Sequence, residues 1–424
     1  MGGCSRPLTR KAPAMKRTMP SLPGWMQAFF SPFRRHVSVP QYRTLLIFLL
    51  GWIASPRRPK LDQLAQSQPG RHRTTLGYLL NHASWDPQNL LTLLVLSLLR
   101  LLAVRDEDLY LLLDDTLIRK RAKCMAAVSP LYDHAVQRTY RAHRVLVAAI
   151  VVRDIILPWR FILWQPRVEG QPYVKVTTLA AQLIREFPTF QGVSVKVLFD
   201  AYYLNASVIA ACQEREFHWF SVASRNRRFT VKGQKRSVKL SRWGPGRLKH
   251  QGQKLKRPRA RGREVFWKQT SVVGHLSKVG QVKLVLAKRW REPYQQMTVF
   301  ATSDTRLTSK AILAVYERRW MIEQLFKDLK GSLGLGQYQM QSQEGIIKHL
   351  HLCGIVHLTL TRQSLEALDV TARHRKDALA LPSLNERLAN TQHVLRQHRI
   401  NKTIQQTRTP AIRRKLRRLL QLAA

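Results

Sequence analysis

Over roughly the first hundred residues, apolar positions recur at intervals of three and four, the spacing of one buried helical face. From Trp25 onward this predicts helices over residues 42–54, 61–66, 74–80 and 87–102, separated by basic turns such as Gly70-Arg-His-Arg73. At Leu109 the period changes. Residues 109–113 form a short unbroken apolar run that stops at Asp114-Asp115-Thr116, as a buried strand does when it delivers polar residues to a sheet edge. Strand-like runs follow at 145–152, 161–168 and 193–199, and the last ends in Asp200. A helix-like 207–216, a strand at 217–223 and further strands at 265–270, 282–287 and 297–301 complete the middle of the chain. Thr308 or Ser309 can cap a long helix, and a second helix spans about 343–366.

Within the first of those helices, Tyr316, Arg319, Glu323 and Lys330 fall inside an arc of roughly 60° at about 100° per residue. Val315, Ile322, Leu325, Phe326 and Leu329 share the adjacent arc, so one face is apolar and the other chemical. An ordinary surface helix also carries mixed charges opposite its buried stripe. A carboxylate set between Arg, Lys and a phenol, however, suits a metal ion held beside a phosphodiester.

The totals sharpen this. With 424 residues the chain can bury a full core in two or three domains without disulfides. Its 72 Lys plus Arg against 25 Asp plus Glu leave a formal charge of +47, a surface that a polyanion neutralises by releasing its counterions. Nucleic acid is the expected partner. A membrane is not, because the basic residues are spread through foldable sequence and the apolar runs 45–54 and 90–104 are short or interrupted. Cys4, Cys124, Cys212 and Cys353 lack zinc-finger spacing, and with no secretory signal evident the cytoplasm is the expected compartment. The pattern divides into a loose basic arm (1–23), a helical region compatible with DNA binding (24–105), an α/β region expected to be the catalytic domain (106–370) and a basic tail (371–424). A β-rich insertion occupies about 225–300 and holds sixteen Lys or Arg and no acid between Arg225 and Arg263.

Two strand-end aspartates and a helix glutamate supply the hard oxygen ligands that a two-metal phosphoryl-transfer site needs. Asp114-Asp115-Thr116 after one strand, Asp200-Ala-Tyr202 after another, and Tyr316-x2-Arg319-x3-Glu323-x6-Lys330 resemble the DDE transposases of bacterial insertion sequences, in the group with the Tyr-Arg-Glu-Lys signature. The resemblance covers about residues 109–360, and the helix signature is its specific part. It implies an α/β fold: a ribonuclease-H-like catalytic core with a β-rich insertion, preceded by a helical N-terminal domain. It also implies cleavage and rejoining of transposon ends with two Mg2+ ions, for which Mn2+ can substitute. Asp114, Asp200 and Glu323 would be the catalytic metal ligands, while Tyr316, Arg319 and Lys330 would contact the transposon-end backbone. Double-stranded DNA, as terminal inverted repeats and target, and a homodimer on that DNA are the implied partners, in a bacterial cytoplasm with its nucleoid.

Some features stay open or bland. Strand alternation leaves Asp114 and Asp115 as rivals for the metal-facing position, and the family pattern favours Asp114. Lys120-Arg-Ala122 stands where relatives carry Lys-x-Gly, and no glycine follows Asp200. Asp106-Glu107-Asp108 reads as a solvated turn, and His134, His143, His250 and His275 as surface or polar-core residues. Trp243 and Trp267 suit a buried place in a small β-domain better than stacking on bases. The rival functions are a DNA-binding remnant without activity and a ribonuclease-H-like nuclease.

Overall fold

The structure, a computed structural model, describes residues 19–407 except 56–59, 68–71, 123, 169, 171 and 259–263, together with residue 410. Most of the expected basic arm and the end of the basic tail therefore lie outside the described residues, as does part of the turn at Gly70.

The chain opens with α1 (Gly24–Phe30), α2 (Val39–Ala54), α3 (Leu61–Ser67), α4 (Arg73–Asn81) and α5 (Pro87–Leu101). Their starts follow from local chemistry. Ser38 and Gln41 form a reciprocal capping box on α2, and the Asp86 carboxylate accepts from the backbone N–H groups of Gln88 and Asn89 at 2.9 and 3.0 Å. Pro87 then occupies the first turn of α5, where its missing N–H leaves no bond unmade. Leu90, Leu91, Leu94, Val95, Leu98 and Leu99 make the buried stripe of α5.

The central strands are β1 (Asp108–Arg119), β2 (Ser129–Asp133), β3 (Arg138–Val152), β4 (Ile155–Leu163), β5 (Ser194–Phe199) and β6 (His218–Val222). Helix α6 (Val176–Glu186) precedes β5, and α7 (Ala206–Glu214) links β5 to β6. In space the order is β4-β3-β1-β5-β6, antiparallel across β4, β3 and β1 and parallel across β1, β5 and β6. This is the ribonuclease-H-like arrangement. The insertion supplies β7 (Arg228–Val231), β8 (Ser237–Lys239), α8 (Leu240–Gln251), β9 (Gln253–Pro258), β10 (Glu264–Leu276), β11 (Gly280–Arg289) and β12 (Thr298–Thr302). Because β12 pairs antiparallel with β6, the insertion extends the same sheet.

After β12 come α9 (Ser309–Glu317), α10 (Trp320–Lys327), a π-helical turn at Asp328–Ser332, α11 (Gln343–Glu366), α12 (Val370–His374) and α13 (Leu384–Gln406). Buried on nearly every side, α11 is the spine against which α2, α4, α5, β4 and α13 pack. Its Gly354 lets α5 and β4 approach closely: a Cβ there would stand 2.8 Å from the Phe161 ring and 3.2 Å from Leu91. Among the described residues no helix is long and apolar enough to cross a membrane.

Four sequence expectations are corrected in detail. First, β1 does not stop at Asp114; its pairing with β3 continues to Arg119, so both aspartates lie within a strand. Second, the expected strand at 161–168 is β4, ending at Leu163, because Arg153 and Asp154 adopt left-handed φ of 50° and 61° in a two-residue turn that starts β4 at once. Third, the acid-free basic stretch, for which the sequence predicts no elements, is structured: β7 pairs with β10 and with β8, and α8 packs on β10 and β11. Finally, the acids before β1 are not merely solvated. Glu107 accepts from Arg153 at 2.5 and 3.0 Å with both side chains almost buried, and Asp108 pairs with Lys196.

Candidate active site

The parallel ladder between β1 and β5 ends at Leu113 opposite Phe199, so the next residues, Asp114 and Asp200, stand side by side where the two strands part. That is the carboxyl end of an α/β sheet, where ligands bind. Across the antiparallel ladder Asp114 faces Val147 and Asp115 faces Leu146, which puts the two acids on opposite faces of the sheet. On its face Asp114 accepts from Arg319 at 3.3 Å, and the other terminal nitrogen of Arg319 donates to Glu323 at 2.5 Å. One guanidinium thus joins β1 to α10. Asp200 holds its own turn, its Oδ1 accepting from the backbone N–H groups of Tyr202 and Tyr203 at 2.9 and 3.4 Å.

The electrostatics are unbalanced. Burial, with the neighbouring carboxylates of Asp200 and Asp115, pushes Asp114 up to about 7, although Arg319 and the Asp115 N–H pull the other way. Asp200 is also raised, first by burial and then by Asp115. Tyr316 lies beside them, its ring 5.7 Å from the Arg319 guanidinium carbon and edge-on to Phe300, and burial pushes its phenol up to about 12. It is therefore a protonated donor at neutral pH.

The signature helix is not continuous. At Arg318 and Arg319 the bonding tightens to three-residue steps, with Arg318 N–H donating to Val315 and Arg319 N–H to Tyr316. After α10 the chain loosens into the π-turn. Each change shifts the angular phase of the residues beyond it. Arg319 and Glu323 still reach one spot, with Tyr316 alongside, but Lys330 does not join the carboxylates; its Nζ donates to the Leu117 carbonyl on β1 at 2.9 Å. Among the described residues, no three His, Cys, Asp or Glu side chains already stand close enough to hold one metal ion. Glu323 is turned onto Arg319 instead.

Residues 32–277 match the family described as DDE superfamily endonuclease, more than half of the 424 residues. The chain belongs to that family. The match includes Asp114 and Asp200 and ends before Glu323. A solved piggyBac transposase synaptic complex with hairpin DNA is similar at 10% identity and a TM-score of 0.42, over 94% of this chain and 80% of that one. No curated protein matches.

Around the candidate site of this DDE endonuclease, the structure adds residues that the sequence pattern did not single out. Asp115 accepts from Arg144 at 2.7 Å and from the Tyr203 hydroxyl at 2.6 Å, so both its oxygens are engaged away from Arg319. Since Tyr203 also caps the Asp200 turn, Asp115 ties that turn to β1. Register could have found Arg144: it faces Leu117, two residues beyond Asp115 on the same side of the sheet. Lys120, in the variant Lys-Arg-Ala segment, donates to the carbonyls of Gly336 and Tyr338 at 2.8 and 3.0 Å and so fastens the loop after the π-turn to the end of β1. Burial lowers its ammonium to about 7.

Proposed function

We propose that this DDE endonuclease is a DNA transposase of the bacterial insertion-sequence type, which cuts phosphodiesters at the ends of its element and joins them to target DNA. The observation that carries the reading is the meeting of Asp114, Asp200, Arg319 and Glu323 at one sheet edge, on three elements far apart in sequence. Asp114, Asp200 and Glu323 are the proposed metal ligands and catalytic residues. The donor set fits hard divalent cations: two carboxylates at neighbouring strand ends and a third on α10, with Asp114 pushed up to about 7 first by burial and then by the charges of Asp200 and Asp115. Bound there, two Mg2+ ions, or Mn2+ in their place, would activate the attacking water or 3′-hydroxyl and offset charge on the leaving oxygen.

The chain's own residues supply the rest. Tyr316, with its proton retained, and Arg319, whose buried Nε has no partner among the described residues, offer donors to a DNA phosphate. Lys330, on the Leu117 carbonyl, would extend that track along the backbone. The Asp115–Tyr203 bond fixes the Asp200 turn without spending a ligand. The formal charge of +47 supports a double-stranded DNA partner, both terminal inverted repeats and target, with the helical region 24–105 assisting the grip. Pairing two ends calls for a homodimer on DNA, acting on the nucleoid in the bacterial cytoplasm.

The test uses labelled DNA carrying the repeats that flank the coding sequence, incubated with Mg2+ or with EDTA. Wild type should give cleaved and joined products in Mg2+ only, and Glu323→Gln and Asp200→Asn should give neither. Equal cleavage in every lane would remove the mechanism. Cleavage with no joined product would make the protein a nuclease.

A further inference from the structure

Arg319 sits where a cation is wanted. Its side chain is 15% exposed, and it donates simultaneously to Asp114 on β1 and to Glu323 one helical turn further along α10. Those are two of the three carboxylates assigned to divalent ions, and while Glu323 holds the guanidinium the three do not close around a common point. One nitrogen of the same group, Nε, is buried with no acceptor among the described residues. A buried donor left unpaired is costly, so this arrangement of Arg319 is incomplete, and an anionic oxygen at Nε would complete it.

We propose that Arg319 is an internal counter-ion that competes with the metal for Asp114 and Glu323 and yields to it when a DNA phosphate draws the guanidinium away. The inference rests on the two-metal reading of the site. It assigns Arg319 a positioning role: it keeps the carboxylates neutralised in the free protein and couples metal loading to substrate. Metal then favours DNA binding and DNA favours metal by the same factor, since the coupling is reciprocal. A guanidinium suits this role because its planar fork matches a carboxylate pair and a phosphate equally well.

Two measurements on the full chain test it. The first is Mn2+ binding without DNA, read from the free-ion electron paramagnetic resonance signal. Arg319→Gln should bind Mn2+ about tenfold more tightly than wild type, the size expected from removing one nearby charge in a partly solvated site. Arg319→Lys keeps the charge but cannot bridge both carboxylates, and it should still bind several-fold more tightly. If Arg319→Lys matches wild type, charge alone acts and the competition is overturned; weaker binding by Arg319→Gln would instead make Arg319 a support for the ligands. Asp200→Asn separates the two levels. Loss of Mn2+ in that variant with no gain in the Arg319 variants refutes only the counter-ion role, whereas no effect of Asp200→Asn refutes the metal reading beneath it.

The second measurement is affinity for a linear duplex taken from the DNA flanking the coding sequence, in EDTA. Glu323→Gln frees the guanidinium and should tighten binding several-fold. The gain should vanish in the Arg319→Gln background, because the two residues act on one interaction. A gain that persists there would be simple charge removal and would overturn the proposal.

Discussion

Replacing Asp114 by Asn should make the protein more stable at neutral pH. In the fold Asp114 is pushed up to about 7 from an ordinary 3.8, first by burial and then by the carboxylates of Asp200 and Asp115. A carboxyl whose folded pKa lies above its unfolded one binds more protons when folded, so its contribution falls as pH rises from about 4 to about 7 and stays low above that. At 1.36 kcal/mol per unit the burden at pH 8 is about 4 kcal/mol. The pull of Arg319 is already contained in that value, so the uncharged amide should gain about 4 kcal/mol. For a chain of 424 residues the unfolding entropy is about 0.9 kcal/mol/K, so Tm should rise by about 4–5 °C. Thermal unfolding of both proteins in EDTA across pH 4–8 is the assay. The difference should be small near pH 4 and grow to its full size by pH 8, and Mg2+ should shrink it by stabilising wild type alone. A difference that does not vary with pH, or an Asn variant less stable than wild type at pH 8, would refute the electrostatic reasoning.

Four other outcomes are expected. Arg153→Ala strands Glu107 almost buried with no guanidinium and removes a 2.7 Å bond to the Arg373 carbonyl; denaturant unfolding should show a loss of about 3 kcal/mol or more, largely recovered by also changing Glu107 to Leu. Gly274→Ala would set a Cβ 2.2 Å from the Thr230 carbonyl between β10 and β7, so the insertion should become protease-sensitive while cuts within the central strands stay rare. Tyr203→Phe removes the 2.6 Å bond to Asp115 and should cost about 1–2 kcal/mol in thermal unfolding as well as weaken Mn2+ binding. Asp115→Asn should lower Mn2+ affinity similarly, and the pair should not be additive.

The sequence displayed what periodicity and capping control. The helix expected at 343–366 is α11 to the residue, and Thr308, one of two caps considered, accepts from Ala311 N–H at 3.2 Å. The acids at the ends of two apolar runs were visible because burial drives those runs and charge stops them. Hidden were features set by partners distant in sequence. Whether β1 ends at Leu113 or runs to Arg119 depends on β3 continuing beside it, and no local signal carries that. The face chosen by Asp114 depends on register, since alternation alone is symmetric. The tightened turn at Arg318 and the π-turn after Lys327 contain no proline, so angular spacing on an ideal helix misplaced Lys330 while keeping Arg319 and Glu323 together. The helix α8 escaped notice because its sequence, with Pro245 inside and mostly polar residues, is weakly amphipathic and depends on packing against β10 and β11.

That Asp114, Asp200 and Glu323 form one metal centre is tested most directly by anomalous diffraction from crystals of the wild-type protein grown or soaked with Mn2+ and its DNA. The account predicts anomalous peaks bounded by those three carboxylates, with the Arg319 guanidinium displaced from Glu323 onto a phosphate. Peaks elsewhere, or saturating Mn2+ with none between residues 114, 200 and 323, would contradict it.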